Sequence, residues 1–295
     1  MKILITGAAG RLGRAAHQAL AADHAVVGLD RLPSATTDLL ADLADLADPA
    51  ADALLRRALE GVDAVIHGAA LHAPHVGLWP DRAFERINVA ATARLAALAQ
   101  QAGVRRFVFA STTALYGHAA TPEGRAGWVD EDLEPQPRTI YHRSKRAAEA
   151  LLREAAAAGL AVTVLRIARC FAEPAPLMAA YRLHRGIDAS DVAQAMVLAL
   201  QGEVPPWRLF VVSGATPFLP TDAEALWHDA PAVLAQRAPA LLQAFAQRGW
   251  LLPPRIDRIY SAARAQQGLG WQPRHGFDEV LRQLDAGAPE VLAPG

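Results

Sequence analysis

The chain has 295 residues, 52% hydrophobic and 20% charged, a balance that gives a folded globular protein with a substantial core and excludes a disordered one. Twenty-nine basic against thirty acidic side chains leave a formal charge of -1, so no basic excess directs the chain to nucleic acid or to a membrane surface. The one cysteine, Cys170, cannot close an internal disulfide, and no apolar run reaches the length of a membrane span; the expectation is a cytoplasmic protein.

In chain order, Met1 to Ile5 is too short for the apolar segment of a signal peptide and reads as the start of a strand, Lys2 to Thr6. It ends at Gly7-Ala8-Ala9-Gly10-Arg11-Leu12-Gly13, and a helical pattern follows to Leu20. Strand, glycine turn and helix together form a phosphate cradle: the glycines permit close backbone approach, and the helix N-terminus offers unpaired N–H groups to a pyrophosphate. The next apolar run ends at Asp30, about 20 residues past the turn, where a carboxylate accepts hydrogen bonds from an adenosine ribose. Asp30 repels a 2'-phosphate and favours NAD, while Arg31 directly after it keeps NADP in play.

Further apolar runs of strand length lie at 63–67, 106–111, 161–166 and 209–213, separated by segments with helix periodicity rich in Ala, Leu, Arg and Glu. Strands alternating with helices predict right-handed crossovers and an α/β fold, a Rossmann-type doubly wound parallel sheet. The monotonous Ala/Leu/Asp segment at 38–58 reads as a loop entering an amphipathic helix. Proline-containing stretches at 119–139 and 172–177 read as surface loops. Tyr141 and Lys145 are four residues apart, which puts both side chains on one helix face. An ammonium beside a phenol favours the phenolate and brings a group with an ordinary pKa of about 10 toward the working range of a general acid/base. The same spacing also fits a buried ring beside a solvated charge.

Thr6 to Gly13, with its Gly-x-x-Gly-x-x-Gly spacing, together with the Tyr-Lys pair resembles the short-chain dehydrogenase/reductase superfamily, in its extended, epimerase/dehydratase-like branch. Asp45-Leu46 resembles the Asp-Leu that borders the adenine in that family, and Asp63 to Ala70 its fourth strand and the loop over the cofactor. Asn88-Val89 resembles the Asn-Val of the next helix, Phe107 to Gly117 the strand delivering a catalytic hydroxyl, and Leu269-Gly270-Trp271-Gln272-Pro273 the C-terminal signature. The resemblance implies a cofactor site of Gly7, Ala9, Gly10, Arg11, Leu12, Gly13, Asp30, Arg31, Asp45, Leu46, Gly68, Ala69, Ala70, Tyr141 and Lys145, holding NAD, with NADP the alternative. It implies Tyr141 as the acid/base, Lys145 as the group that lowers its pKa and bonds the nicotinamide ribose, and Thr112 as the hydroxyl orienting the reacting oxygen. Ser111 and Thr113 compete for Thr112's place, but strand alternation gives one parity to the cofactor. Asn88 is expected to hold the active-site backbone or a proton-relay water.

The domains implied are an NAD-binding domain over 1–170 with 188–215 returning to it, and a substrate-binding cap over 171–187 and 216–295. The family's habit of dimerising through the helices after Asn88 and Tyr141, with alanine-rich faces at 90–102 and 147–158, implies a homodimer.

His67, His72 and His75 have no carboxylate or cysteine partner at ligand spacing, so no metal is expected; His72 and His75 are placed in a loop beside the substrate. Asp188 and Asp191 are expected to organise a helix start. The interval between the strand at 161–166 and Asp191 is too short for the usual nucleotide-sugar pocket, which points to a smaller substrate. Val164 to Pro174 with Tyr181-Arg182 resembles uronate dehydrogenases, which implies an arginine on a carboxylate: Arg182, with Arg169 and Arg185 as alternatives. The expected function is hydride transfer between a nicotinamide cofactor and a hydroxyl or carbonyl carbon of a small sugar-like or sugar-acid molecule. The alternatives are an epimerase or dehydratase that keeps its cofactor, and a non-catalytic dinucleotide-sensing regulator.

Overall fold

A computed structural model describes residues 1–45, 48–203 and 205–294. Its strands are β1 (Lys2–Thr6), β2 (Ala25–Asp30), β3 (Leu39–Leu40), β4 (Ala64–His67), β5 (Arg106–Thr112), β6 (Gly127–Val129), β7 (Ala161–Ile167), β8 (Trp207–Val212) and β9 (Arg258–Tyr260). The helices of the first half are α1 (Arg11–Leu20), α2 (Pro49–Leu59), α3 (Asp81–Phe84), α4 (Ala91–Gln101) and α5 (Ile140–Ala157). A π-helical stretch, Glu85–Ala90, joins α3 to α4. Later come α6 (Ala175–Arg182), α7 (Ala189–Ala199), α8 (Ala223–His228), α9 (Ala230–Arg237), α10 (Pro239–Gln247), α11 (Ala263–Leu269) and α12 (Phe277–Asp285).

Seven strands form one sheet in the order β3-β2-β1-β4-β5-β7-β8, with parallel pairing of β1 to both β2 and β4 and of β4 to β5. Ile3, Leu4, Ile5, Val65, Ile66 and Phe107 are fully buried, as strands covered by helices on both faces require. The strand order reverses at β1 and β4, and the carboxyl ends there open the crevice in which α/β sheets bind ligands. The helices start where their caps predict. Asp48 accepts the Ala50 amide before Pro49 opens α2, and Thr139 Oγ1 accepts the His142 amide at the head of α5.

The chain divides into two compact units. The first comprises 1–115, 137–166 and 192–210, and its main core gathers Leu4, Leu55, Leu95, Phe107, Phe109 and Leu152. Ala91, Ala96, Ala99, Ala148 and Ala156 pack into this core, so that part of the alanine-rich faces of α4 and α5 is consumed within the chain. The second unit comprises 116–136, 167–191 and 211–295; β6 pairs in parallel with β9, and Met178, Leu226, Leu234, Phe245 and Ile259 lie at its core. Trp271 of the C-terminal signature is fully buried there and donates its indole N–H to the Asp191 carbonyl at 2.9 Å.

Two expectations change. The stretch 119–139 is not simply a surface loop: Ala126 and Val129 are buried and β6 lies within it, with Pro122 and Gly124 before the strand and Pro135 and Pro137 after it. Segment 116–136 therefore belongs to the second unit and not to the first domain, where chain order had put it. Among the described residues no helix is long and apolar enough to cross a membrane.

Candidate active site

The glycine turn is built by exclusion. Gly7 has φ +75°, and a Cβ there would stand 2.7 Å from the Ala69 nitrogen; a Cβ on Gly13 would meet the Gly7 carbonyl oxygen at 2.2 Å. These two glycines let β1, the 68–70 loop and α1 close on one another. Gly10 is the N-cap of α1 and has no side chain to satisfy the first-turn amides, which leaves that end of the helix to an anion.

Gly7, Ala9, Gly10, Asp30, Arg31, Gly68, Ala69, Ala70, His72 and His75 line one cavity of the first unit. Arg11, Leu12 and Gly13 form the first turn of α1. Asp30 is fixed by two amides, Ala9 N–H to Oδ2 at 3.0 Å and Leu32 N–H to Oδ1 at 3.0 Å. A carboxylate at one end, a side-chain-free helix N-terminus in the middle and backbone of 68–70 along the wall fit a dinucleotide in both shape and donor set.

The Asp-Leu pair expected beside the adenine, Asp45-Leu46, has a neighbouring copy at Asp42-Leu43. Asp42 and Leu43 line the cavity, while Asp45 is exposed outside it and Leu46 lies outside the described residues. The chain repeats Ala-Asp-Leu at 41–43 and 44–46, and only the path of the backbone after β3 decides which copy reaches the cavity.

At the end of β5, Thr112 stands beside Tyr141, near enough for its hydroxyl to act on the phenol. Thr112, Tyr141 and Lys145 are all at most 9% exposed. Lys145 Nζ donates to the Ala110 carbonyl at 2.7 Å and stands 3.9 Å above the Phe109 ring centre. The expected depression of the Tyr141 pKa is corrected for the protein alone: burial pushes the phenol up to about 12, against the smaller opposing effect of the Thr112 hydroxyl. Burial also pulls Lys145 down to about 7, with the charge of Glu149 acting the other way. His72 packs edge-on to Tyr141 with ring centres 6.4 Å apart, and is held near pKa 4 by burial and by the charge of Lys145.

Asn88 sits in the π-helical stretch, a distortion common at functional sites. Its Oδ1 accepts the Leu71 amide at 2.8 Å, and its Nδ2 donates to the Leu71 carbonyl and to Ser144 Oγ, each at 3.0 Å. Ser144 in turn donates to the Tyr141 carbonyl at 3.0 Å. Asn88 thus ties the loop after β4 to the helix of Tyr141.

The sequence did not single out the buried chain beneath this. Thr92 gives its one hydroxyl proton to the Asn88 carbonyl, so it accepts from His67 Nε2 at 2.8 Å, and His67 Nδ1 accepts from Thr6 at 2.6 Å. Burial keeps His67 neutral, with its pKa lowered to about 3.

Ser111 and Arg182, both expected near the substrate, have partners within the protein. Ser111 donates to Glu149 Oε1 at 2.5 Å, about two turns along α5 from Tyr141, the neighbour of Thr112. Arg182 has a side chain 1% exposed and paired with Asp188 at 2.8 Å, so its charge is compensated inside the second unit. Arg169 is bound to Glu173, Nε to Oε1 at 2.7 Å, and keeps 39% of its side chain exposed. Asp188 accepts the Ser190 amide at the head of α7, as expected; Asp191 instead accepts the Arg274 and His275 amides. Among the described residues no group of three or more His, Cys, Asp or Glu is arranged to hold a metal ion.

A doubly wound sheet with a glycine cradle at its switch point defines a Rossmann-type, NAD-binding protein. The chain belongs to the NAD dependent epimerase/dehydratase family, whose profile matches residues 3–179. It is similar to the L-arabinose 1-dehydrogenase (NAD(P)(+)) of Haloferax volcanii, 34% identical over 51% of this chain and 59% of that protein. It is also similar to a UDP-glucose 4-epimerase of Corynebacterium glutamicum, 26% identical over 93% of this chain and 92% of that one. Among solved structures, MoeE5 in complex with UDP-glucose and NAD aligns with TM-score 0.70 and 26% identity over 97% of this chain and 98% of that chain. The chain spans about half the length of several curated relatives it matches, 43% and 59% for two of them.

Proposed function

We propose that this chain is an NAD-dependent oxidoreductase that transfers a hydride between the nicotinamide ring and a hydroxyl or carbonyl carbon of a small sugar-like molecule. The observation that carries the proposal is the buried set at the end of β5: Thr112 beside Tyr141, and Lys145 one helical turn on, donating to the Ala110 carbonyl of the same strand. Bound NAD would accept or return the hydride; the chain's own residues move the proton and hold the partners.

The glycine cradle and Asp30 hold the pyrophosphate and adenosine ribose, and Lys145 holds the nicotinamide ribose. Thr112 and Tyr141 grip the reacting oxygen, Thr112 fixing its direction and Tyr141 taking or giving its proton. A phenol pushed up to about 12 serves as a proton donor to a forming alkoxide; acting as a base, it needs positive charge beside it, the role this reading gives to Lys145 and the oxidised nicotinamide.

NAD is favoured over NADP by Asp30. A neutral sugar is favoured over a sugar acid because Arg182 and Arg169 already have carboxylate partners in Asp188 and Glu173. The residues between β7 and α7, 168–188, leave little chain for a nucleotide-sugar pocket. Epimerisation with retained cofactor is the second reading, favoured by the full-length similarity to a UDP-glucose 4-epimerase.

A screen of sugars, sugar acids and nucleotide sugars with NAD and with NADP decides between them. Dehydrogenation releases NADH in step with product; converted sugar without net NADH establishes the epimerase. Absence of any conversion with intact NAD binding leaves the dinucleotide-sensing regulator.

A further inference from the structure

The spacing of Tyr141 and Lys145 continues by one more turn of α5 to Glu149, and all three residues engage the end of β5. Tyr141 meets Thr112, Lys145 donates to the Ala110 carbonyl at 2.7 Å, and Glu149 accepts from Ser111 at 2.5 Å. Arg166 on β7 holds the other side of the Glu149 carboxylate, Nη2 to Oε2 at 2.8 Å, with side chains 8% and 6% exposed. A buried pair of this kind is weak evidence for stability, because desolvating both ions offsets their attraction. Its place one turn from a buried lysine gives it another use.

We propose that Glu149 and Arg166 are positioning residues for Lys145: the carboxylate holds the charge on the ammonium, the guanidinium limits that pull, and the Ser111 bond fixes α5 along β5. A lysine in a dry site sheds its proton unless a counter-charge stands near. The other titratable groups around Lys145 are neutral. His67 on β4 and His72 in the loop after it both feel the Lys145 charge and are kept unprotonated by burial, and Tyr141 is kept protonated. Of the groups named, Glu149 is the one whose charge keeps the proton on Lys145, and Arg166 is the partner of that carboxylate. The importance of this for catalysis rests on the function proposed above; the test does not.

The chain contains two lysines, Lys2 and Lys145, so protein labelled with carbon-13 at lysine Cε gives two signals, and Lys2→Arg assigns them. The titration midpoint of Lys145 is read by NMR without cofactor. In Glu149→Gln it is expected to fall by about one pH unit or more, and in Arg166→Met, where the carboxylate loses its competitor, to rise. Opposite movements separate charge control from simple loosening, which moves both variants the same way. If a single variant does not fold, Glu149→Gln/Arg166→Met leaves no lone buried charge and is expected to fold with a midpoint below wild type. Unchanged midpoints, or movement of both single variants in one direction, overturn the proposal; so does an unchanged midpoint in the double variant. If the midpoints move as expected while the pH dependence of NAD binding does not follow, the charge control stands and the assignment of Lys145 to the cofactor falls.

Discussion

Lys145 donates to the Ala110 carbonyl at 2.7 Å, which anchors the ammonium to the strand that also carries Thr112. The helix of Tyr141 and the strand of Thr112 are therefore clasped by Lys145. Burial alone moves Tyr141 and Lys145 the wrong way for proton abstraction, up to about 12 and down to about 7. The cationic nicotinamide of the oxidised cofactor is the charge that would bring the phenol back toward the working range.

Replacing Tyr141 with Phe removes the proton route and keeps the ring. Turnover is expected to fall about 100- to 10,000-fold while NAD affinity changes little. Steady-state rates and a fluorescence titration of NADH check the two halves separately.

Asp30→Ala deletes the acceptor of the Ala9 and Leu32 amides together with the ribose contact. NAD affinity is expected to drop about tenfold or more, the scale of a hydrogen bond to a charged group, and the preference over NADP to shrink. An unchanged ratio of kcat/KM for the two cofactors contradicts the assignment.

The cavity lining distinguishes the two Asp-Leu copies. Leu43→Asp is expected to weaken NAD binding at least tenfold by placing a charge against the adenine wall, whereas Asp45→Ala leaves it unchanged. Calorimetric titration of both variants with NAD reads the difference.

Arg182→Ala leaves Asp188 buried without its guanidinium. The loss of stability is expected to be about 3–5 kcal/mol, seen in urea unfolding, with no selective rise of KM for acidic over neutral substrates. A selective rise restores Arg182 as a substrate ligand.

His275 is 36% exposed and hydrogen-bonded through Nδ1 to Asp191 at 2.8 Å. Burial opposes its charge, but the hydrogen bond and charge of Asp191 outweigh it and raise the pKa above 6.5. A raised folded-state pKa contributes stability that is full below about pH 6.5 and is lost as pH rises through the folded value. Tm is expected to decline across that window in the wild type and to lose that decline in His275→Gln.

The sequence by itself determined the strands of the first unit other than the two-residue β3, the glycine cradle, Asp30 and the Tyr141/Lys145 face, because each depends on local periodicity or on a residue type with a single conformational use. Gly7 and Gly13 are legible since no side chain fits at those positions. Tertiary structure decided what depends on which of two locally equivalent residues meets a distant one. It chose Asp42 over Asp45 from a repeated tripeptide, turned Ser111 toward Glu149 and Thr112 toward Tyr141, and paired Arg182 with Asp188. It also set the charges, since the pKa values of Tyr141, Lys145 and His67 follow from burial, which spacing along a chain does not specify.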